Sequence, residues 1–286
     1  MQGKLTTLKN MIWAVCIVIC LVSLLVGCIA SSIPKYEGER QDGILYLNGS
    51  SGKDSVSEDS AGAEELPSDA PAADYGSSGV LNVLPEASDG GQAYIDSLTF
   101  LCDSTFMGLK DYALLSGGYN TTQVWRTEAG NLPATDLADP NIVNPSDGVV
   151  MPVSMAAGLN KPPILVICLS IDSLAEANKN DFIADYESLI GSIRSQSPGT
   201  TIFCCSSSSV TTSYDSLDGT TFEMVTELNE WIKQVCTDTG AYFADTASAV
   251  CDPAGMLMNN YASINGQTLN SSGLTKILEY LRTHRL

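Results

Sequence analysis

Ser104 stands in Cys102-Asp103-Ser104-Thr105, directly after the apolar run Leu98 to Cys102, where a chain leaving a strand can present a nucleophile. A serine hydroxyl is a weak nucleophile near neutral pH and depends on an adjacent base, most often an imidazole, to take its proton. The chain of 286 residues has one histidine, His284, two residues from its C-terminal end. Any acyl chemistry at Ser104 therefore has to find another base.

The elements that must position these residues alternate in type. Leu98 to Cys102 is a short strand, with a turn and a helical start near Thr105. Pro163 to Leu169 is almost continuously apolar, as expected of a central strand covered on both faces. Phe182, Ile183, Tyr186, Leu189, Ile190 and Ile193 mark one face of a helix that Pro198-Gly199 ends. Thr200 to Cys205 is the next strand. Thr220 with Glu223 offers a capping box for a helix carrying Phe222, Val225, Leu228, Ile232 and Val235, closed by Gly240. Ala241 to Asp245 is the last strand, and Leu274, Ile277, Leu278 and Leu281 line a C-terminal helix that starts near Ser272. This order predicts an α/β fold, a three-layer αβα sandwich around a parallel sheet, with the site beyond the C-terminal strand ends.

Phe100-Leu101-Cys102-Asp103-Ser104 resembles the first block of the SGNH (GDSL-type) hydrolase family, in which a strand ends in Gly-Asp-Ser and the serine is the nucleophile. The match puts Ser104 at that position and Cys102 at the glycine. Ile164 to Leu169 followed by Ser170-Ile171-Asp172 resembles the block that carries an oxyanion-donating asparagine, with Ser170 at its glycine and Asp172 at the asparagine. Asn265 to Asn270 resembles the block with Asp-Gly, a variable residue, His, Leu and Asn. Gly266, Leu269 and Asn270 match it, while Asn265 stands for the acid and Thr268 for the base. The resemblance implies a flavodoxin-like serine esterase frame with Ser104, Asp172, Asn265 and Thr268 at its site. It also implies that the last three are altered, because a carboxylate repels a developing oxyanion and threonine has no proton-accepting state near pH 7. The family's second block supplies a glycine amide to the oxyanion hole, and no position here is assigned to it; Gly117, Gly118 and Gly130, in the stretch around Gln123-Val124-Trp125, read as turn glycines.

Charge excludes other classes. The 33 acidic and 14 basic residues give a net charge of -19, which repels nucleic acid and anionic lipid. The nine cysteines follow neither zinc nor disulfide-scaffold spacing, so they read mainly as small buried hydrophobes, with one core disulfide open. No cofactor is implied.

Met11 to Ala30 is a run of twenty residues without a charge, long enough to span a bilayer, and Lys4 and Lys9 precede it. It reads as a signal anchor that holds the rest of the chain outside the cytoplasmic membrane. Leu25-Val26-Gly27-Cys28 leaves lipidation at Cys28 as the alternative, with residues 1–30 then a lipoprotein-type signal. Residues 31–91 are acidic and rich in Ser, Gly, Ala and Pro, the composition of a tether, with Gly43 to Leu47 as a stray strand. Residues 92–286 form the folded domain.

Two function classes follow. One is a membrane-tethered, extracytoplasmic hydrolase-like domain with standard catalysis lost, binding surface glycans, acyl groups or a protein. The other is an active esterase acting on O-acyl or acetyl esters of cell-wall glycans, with Asp172 or Asp103 as base. A carboxylate of ordinary pKa, about 3.9, suits that role only if desolvation raises it. His284, at the far end of the last helix and roughly 18 Å of rise from its start, is expected to cap that helix or face solvent.

Overall fold

In the computed structural model the described residues are 79–169, 172, 178–215 and 221–286, all within the compact unit Pro67–Leu286. Met11 to Ala30, Cys28, Gly43 to Leu47, Ser170 and Thr220 lie outside them. Among the described residues no helix is long and apolar enough to cross a membrane.

Six strands form the central sheet: β1 (Asn82–Val83), β2 (Leu98–Cys102), β3 (Val124–Trp125), β6 (Ile164–Cys168), β7 (Thr201–Cys205) and β8 (Tyr242–Ala244). Their order is β1-β8-β7-β6-β2-β3, and every neighbouring pair is parallel. The apolar run after Pro163 does sit in the middle of the sheet. A separate antiparallel hairpin, β4 (Asn141–Val143) and β5 (Val150–Pro152), lies outside it.

The helices are α1 (Gly91–Asp96), α2 (Gly108–Asp111), α3 (Val153–Asn160), α4 (Lys179–Gln196), α5 (Thr212–Asp215), α6 (Phe222–Thr239) and α7 (Ser271–Thr283). Alternation along the strands divides the core between two layers. Leu101, Leu165, Ile167, Ile202 and Cys204 pack toward α3, α4 and α6. Leu98, Phe100, Cys102, Val166, Cys168, Phe203 and Cys205 face α7 with α1 and α2. The result is the expected three-layer αβα arrangement around a parallel sheet.

Local signals explain most boundaries. The Asn178 side chain caps α4 by accepting from the Asn180 amide, and Gly240 closes α6 in the left-handed region at φ 70°. The cap of α6 differs from the expected Thr220–Glu223 box. Thr221 accepts from the Met224 amide instead, which moves the cap one residue along. Helix α7 begins at Ser271 because the Asn270 side chain accepts from the Gly273 amide.

One expected boundary is corrected. The composition of residues 31–91 predicts a tether throughout, but the fold takes in its last ten or so residues: β1 extends the sheet beside β8, and Leu84 is buried. The Leu84 amide donates to Phe243, and the Ala87 and Gly90 amides donate to the carbonyls of Thr283 and Arg282. Arg282 also holds the Asp89 carboxylate at the end of α7. The acidic composition of this stretch hid Leu81 and Leu84, the two apolar side chains that dock it on the core.

The cysteines among the described residues behave as small hydrophobes. Cys102, Cys168, Cys204, Cys205 and Cys236 are buried free thiols, and Cys251 is half-buried. Cys102 and Cys168 are register partners on β2 and β6, and the Cys168 and Cys205 sulfurs are 3.9 Å apart. Burial pushes the Cys168 thiol well above its ordinary range.

Candidate active site

Asp103 builds the turn that presents Ser104. It is fully buried, its amide donates to the Cys168 carbonyl, and its Oδ1 accepts from the amides of Thr105 and Phe106 at 3.1 and 3.3 Å. Its carboxylate thus serves the turn. Ser104 is exposed between buried Asp103 and Thr105, which lifts one side chain out of an otherwise sealed loop. Cys102 points into the core against α7 and stays out of the site.

Asp172 reaches back to Ser104 with both oxygens. The Ser104 amide donates to Asp172 Oδ2 at 2.8 Å, and the Ser104 hydroxyl donates to Oδ1 at 2.7 Å. These are charge-assisted bonds, stronger than neutral ones. The amide and the hydroxyl of the nucleophile position are therefore both committed to one anion.

Thr268 comes to the same place. Ser104, Gly108, Tyr112, Ser263, Thr268 and Leu269 line a shallow depression of about 140 Å³. Asn265 stands behind Thr268: its Oδ1 accepts from the Gln267 amide at 3.0 Å, the Thr268 amide at 3.1 Å and the Thr268 hydroxyl at 3.2 Å. Asn265 thus fixes the turn that carries Thr268 through a single carbonyl oxygen. Asn265 itself borders a neighbouring cleft with Thr211, Tyr214 and Gly266.

The structure thus brings Ser104, Asp172 and Thr268 together, with Asn265 behind Thr268. Sequence reasoning did not single out Tyr112 and Ser263. Tyr112 is an exposed aromatic at the end of α2, and Ser263 becomes a neighbour only through the fold. Gly117, Gly118 and Gly130 all have positive φ, as turn glycines do. His284 is the C-cap residue of α7, as expected. Its ring stacks on Tyr280 at 3.8 Å, and its Nδ1 lies 3.0 Å from the Tyr280 carbonyl oxygen. It does not line the depression at Ser104.

A profile of the GDSL-like lipase/acylhydrolase family matches residues 87–272. The chain belongs to that family. Among solved structures it is similar to one from Streptococcus pneumonia described as a platelet activating factor, with a TM-score of 0.48 at 15% identity over 65% of this chain and 82% of that one. A protein of Desulfitobacterium hafniense described as lipolytic and of the G-D-S-L family gives 0.44 at 14% identity over 65% and 97%. A carbohydrate esterase family 3 structure from Talaromyces cellulolyticus gives 0.40 at 15% identity over 64% and 92%. No curated protein is similar enough in sequence to match. Membership of this GDSL-like family rests on the profile match together with the parallel topology and the strand-end position of Ser104.

Proposed function

We propose that this GDSL-like chain is a membrane-tethered, extracytoplasmic domain in which standard ester hydrolysis is impaired and a binding role for surface glycans or acyl groups is kept. The observation that carries the reading is the double contact between Ser104 and Asp172. An ester carbonyl activated at Ser104 develops negative charge where donors must converge, and removing one such donor elsewhere costs about 10² to 10³ in rate. Here an anion already holds the Ser104 amide. Two like charges about 4 Å apart repel by about 4 kcal/mol at the effective dielectric of a protein surface. Thr268 offers no base to offset this.

A fluorophosphonate probe tests the reading on the full chain. The expected result is no covalent label at Ser104, and stoichiometric labelling lost in Ser104→Ala would overturn it. A second reading, an active esterase on O-acyl glycan esters with Asp172 as base, draws on the same 2.7 Å hydroxyl contact. Asp172→Asn separates the two by sign. It removes all labelling if Asp172 is the base, and leaves or raises labelling if Asp172 blocks the site.

The tether rests on the twenty uncharged residues after Lys9. Full-length protein is expected to stay with membranes through alkaline carbonate extraction and to be reached by protease from the outer side. Release of the intact chain by carbonate would sink this part of the proposal.

A further inference from the structure

Cys102, Cys168 and Cys205 lie in a row across three neighbouring strands in the middle of the sheet. Cys102 on β2 and Cys168 on β6 are register partners, and Cys205 on β7 comes one step after the last β6–β7 pair, Ile167 opposite Cys204. All three side chains face the α7 layer and are fully buried, and none lines the depression at Ser104. Within this row the Cys168 and Cys205 sulfurs are 3.9 Å apart. Cys102, on the other side of Cys168, directs its thiol to the Phe100 carbonyl at 3.7 Å and is the competing partner.

The backbone under the Cys168–Cys205 pair already meets the requirement for a covalent link. Neighbouring strands run about 4.8 Å apart, inside the Cα separation of about 4.4–6.8 Å that a disulfide spans. An S–S bond is about 2.05 Å long, so the two sulfurs, now at 3.9 Å, have to close by about 1 Å each. A rotation of roughly 30° about each Cα–Cβ bond moves a sulfur that far and keeps it at the edge of a rotamer well. The strands need not part.

We propose that Cys168 and Cys205 close to a disulfide when the chain folds in contact with a disulfide oxidant. One cysteine attacks a sulfur of the oxidant and displaces a thiol; the other cysteine then attacks the mixed disulfide and displaces the second thiol. The two cysteines are oxidised, the oxidant is reduced to two thiols, and the two cysteine protons end on them. Burial keeps the folded Cys168 thiol protonated, so the exchange belongs to the folding chain, before α7 covers the row. The bond joins β6 to β7 next to the site, because the Cys168 carbonyl also receives the Asp103 amide beneath Ser104. It holds whether or not Ser104 reacts, and it does not depend on the membrane tether.

Refolding of the reduced full chain from urea with glutathione disulfide tests it, followed by denaturation, capping with N-ethylmaleimide and digestion without reductant. One linked peptide pair carrying Cys168 and Cys205 is expected, absent after reduction. The oxidised chain is expected to unfold at a higher urea concentration than the reduced one, because the bond closes the loop that contains α4. Cys168→Ala and Cys205→Ala are each expected to remove the link, and Cys102→Ala and Cys204→Ala to keep it. The peptide map of the parent decides the pair even where a variant fails to fold. The proposal is overturned if Cys168 and Cys205 are both capped after refolding in excess oxidant, or if the link joins Cys168 to Cys102. It is equally overturned if the linked chain loses the circular dichroism spectrum of the reduced one or unfolds at lower urea.

Discussion

At Ser104 the hydroxyl and the amide of one residue converge on the two oxygens of Asp172, while Thr268 lines the depression beside it. On the proposed reading, relieving the clamp alone does not supply a base, and supplying a base alone leaves the Asp172 carboxylate on the Ser104 amide. Activity is therefore expected only from a combined change. In Asn265→Asp, Thr268→His, Asp172→Asn, the acid would stand where Asn265 Oδ1 already accepts from the residue 268 side chain. Turnover of a simple acetyl ester is expected to rise about 10²-fold or more over the parent, the lower end of general-base catalysis. No gain, measured on a variant with the parent's circular dichroism, would place the defect in the backbone of the site rather than in these side chains. The residue types at these positions were legible in the sequence because the blocks keep their order. The bidentate contact was not, since it depends on the path of the chain after β6, which no periodicity encodes.

At the scale of elements, the matching residues of the last block are structural. Gly266 sits at φ 70°, with space for a Cβ closed by Thr211 Oγ1 at 2.5 Å; Leu269 is buried; Asn270 caps α7. Gly273 shows the same tightness in the first turn of α7, where a Cβ would lie 2.6 Å from the Tyr261 carbonyl oxygen and 3.0 Å from Leu269. Gly273→Ala is expected to destabilise by about 1–3 kcal/mol, as overpacking against a backbone atom does, and a urea midpoint measures it. A shift within error of the parent would mean that α7 slides freely at its start. Long elements were readable because β6, α4, α6 and α7 carry continuous or strongly periodic apolar patterns. The two-residue β1 and β3 and the β4–β5 hairpin were not, because runs of two or three residues carry no period. Leu81 and Leu84 lay hidden inside an acidic composition for the same reason.

For the whole molecule, buried Tyr186 and half-buried Tyr94 and Tyr280 set an alkaline limit. Burial pushes Tyr94 up to about 12, and burial together with the Asp245 carboxylate pushes Tyr280 up to about 12. Burial among the thiols of Cys204 and Cys236 pushes Tyr186 up as well. A folded pKa above the unfolded value of about 10 means that the native state holds its protons more tightly, so this stability is complete below about pH 10 and is lost as pH rises toward 12. The net charge of -19 adds self-repulsion in the same direction. Loss of the circular dichroism signal is expected to coincide with the appearance of tyrosinate absorbance from these groups. If tyrosinate formed well below the unfolding transition, these rings would be open to solvent in the native state.

His284 carries one further consequence. Because it is the sole imidazole in the chain, its ring protons give an isolated pair of resonances, and the Tyr280 ring stacked parallel to it within 6° moves them upfield by its ring current. Its backbone also bridges Glu86, on the segment that leads into the domain from its N-terminal side. The residue whose absence from Ser104 removes the usual base thus serves as a built-in reporter. One spectrum of the full chain reads whether the entering segment is docked on the end of α7, without any label being introduced.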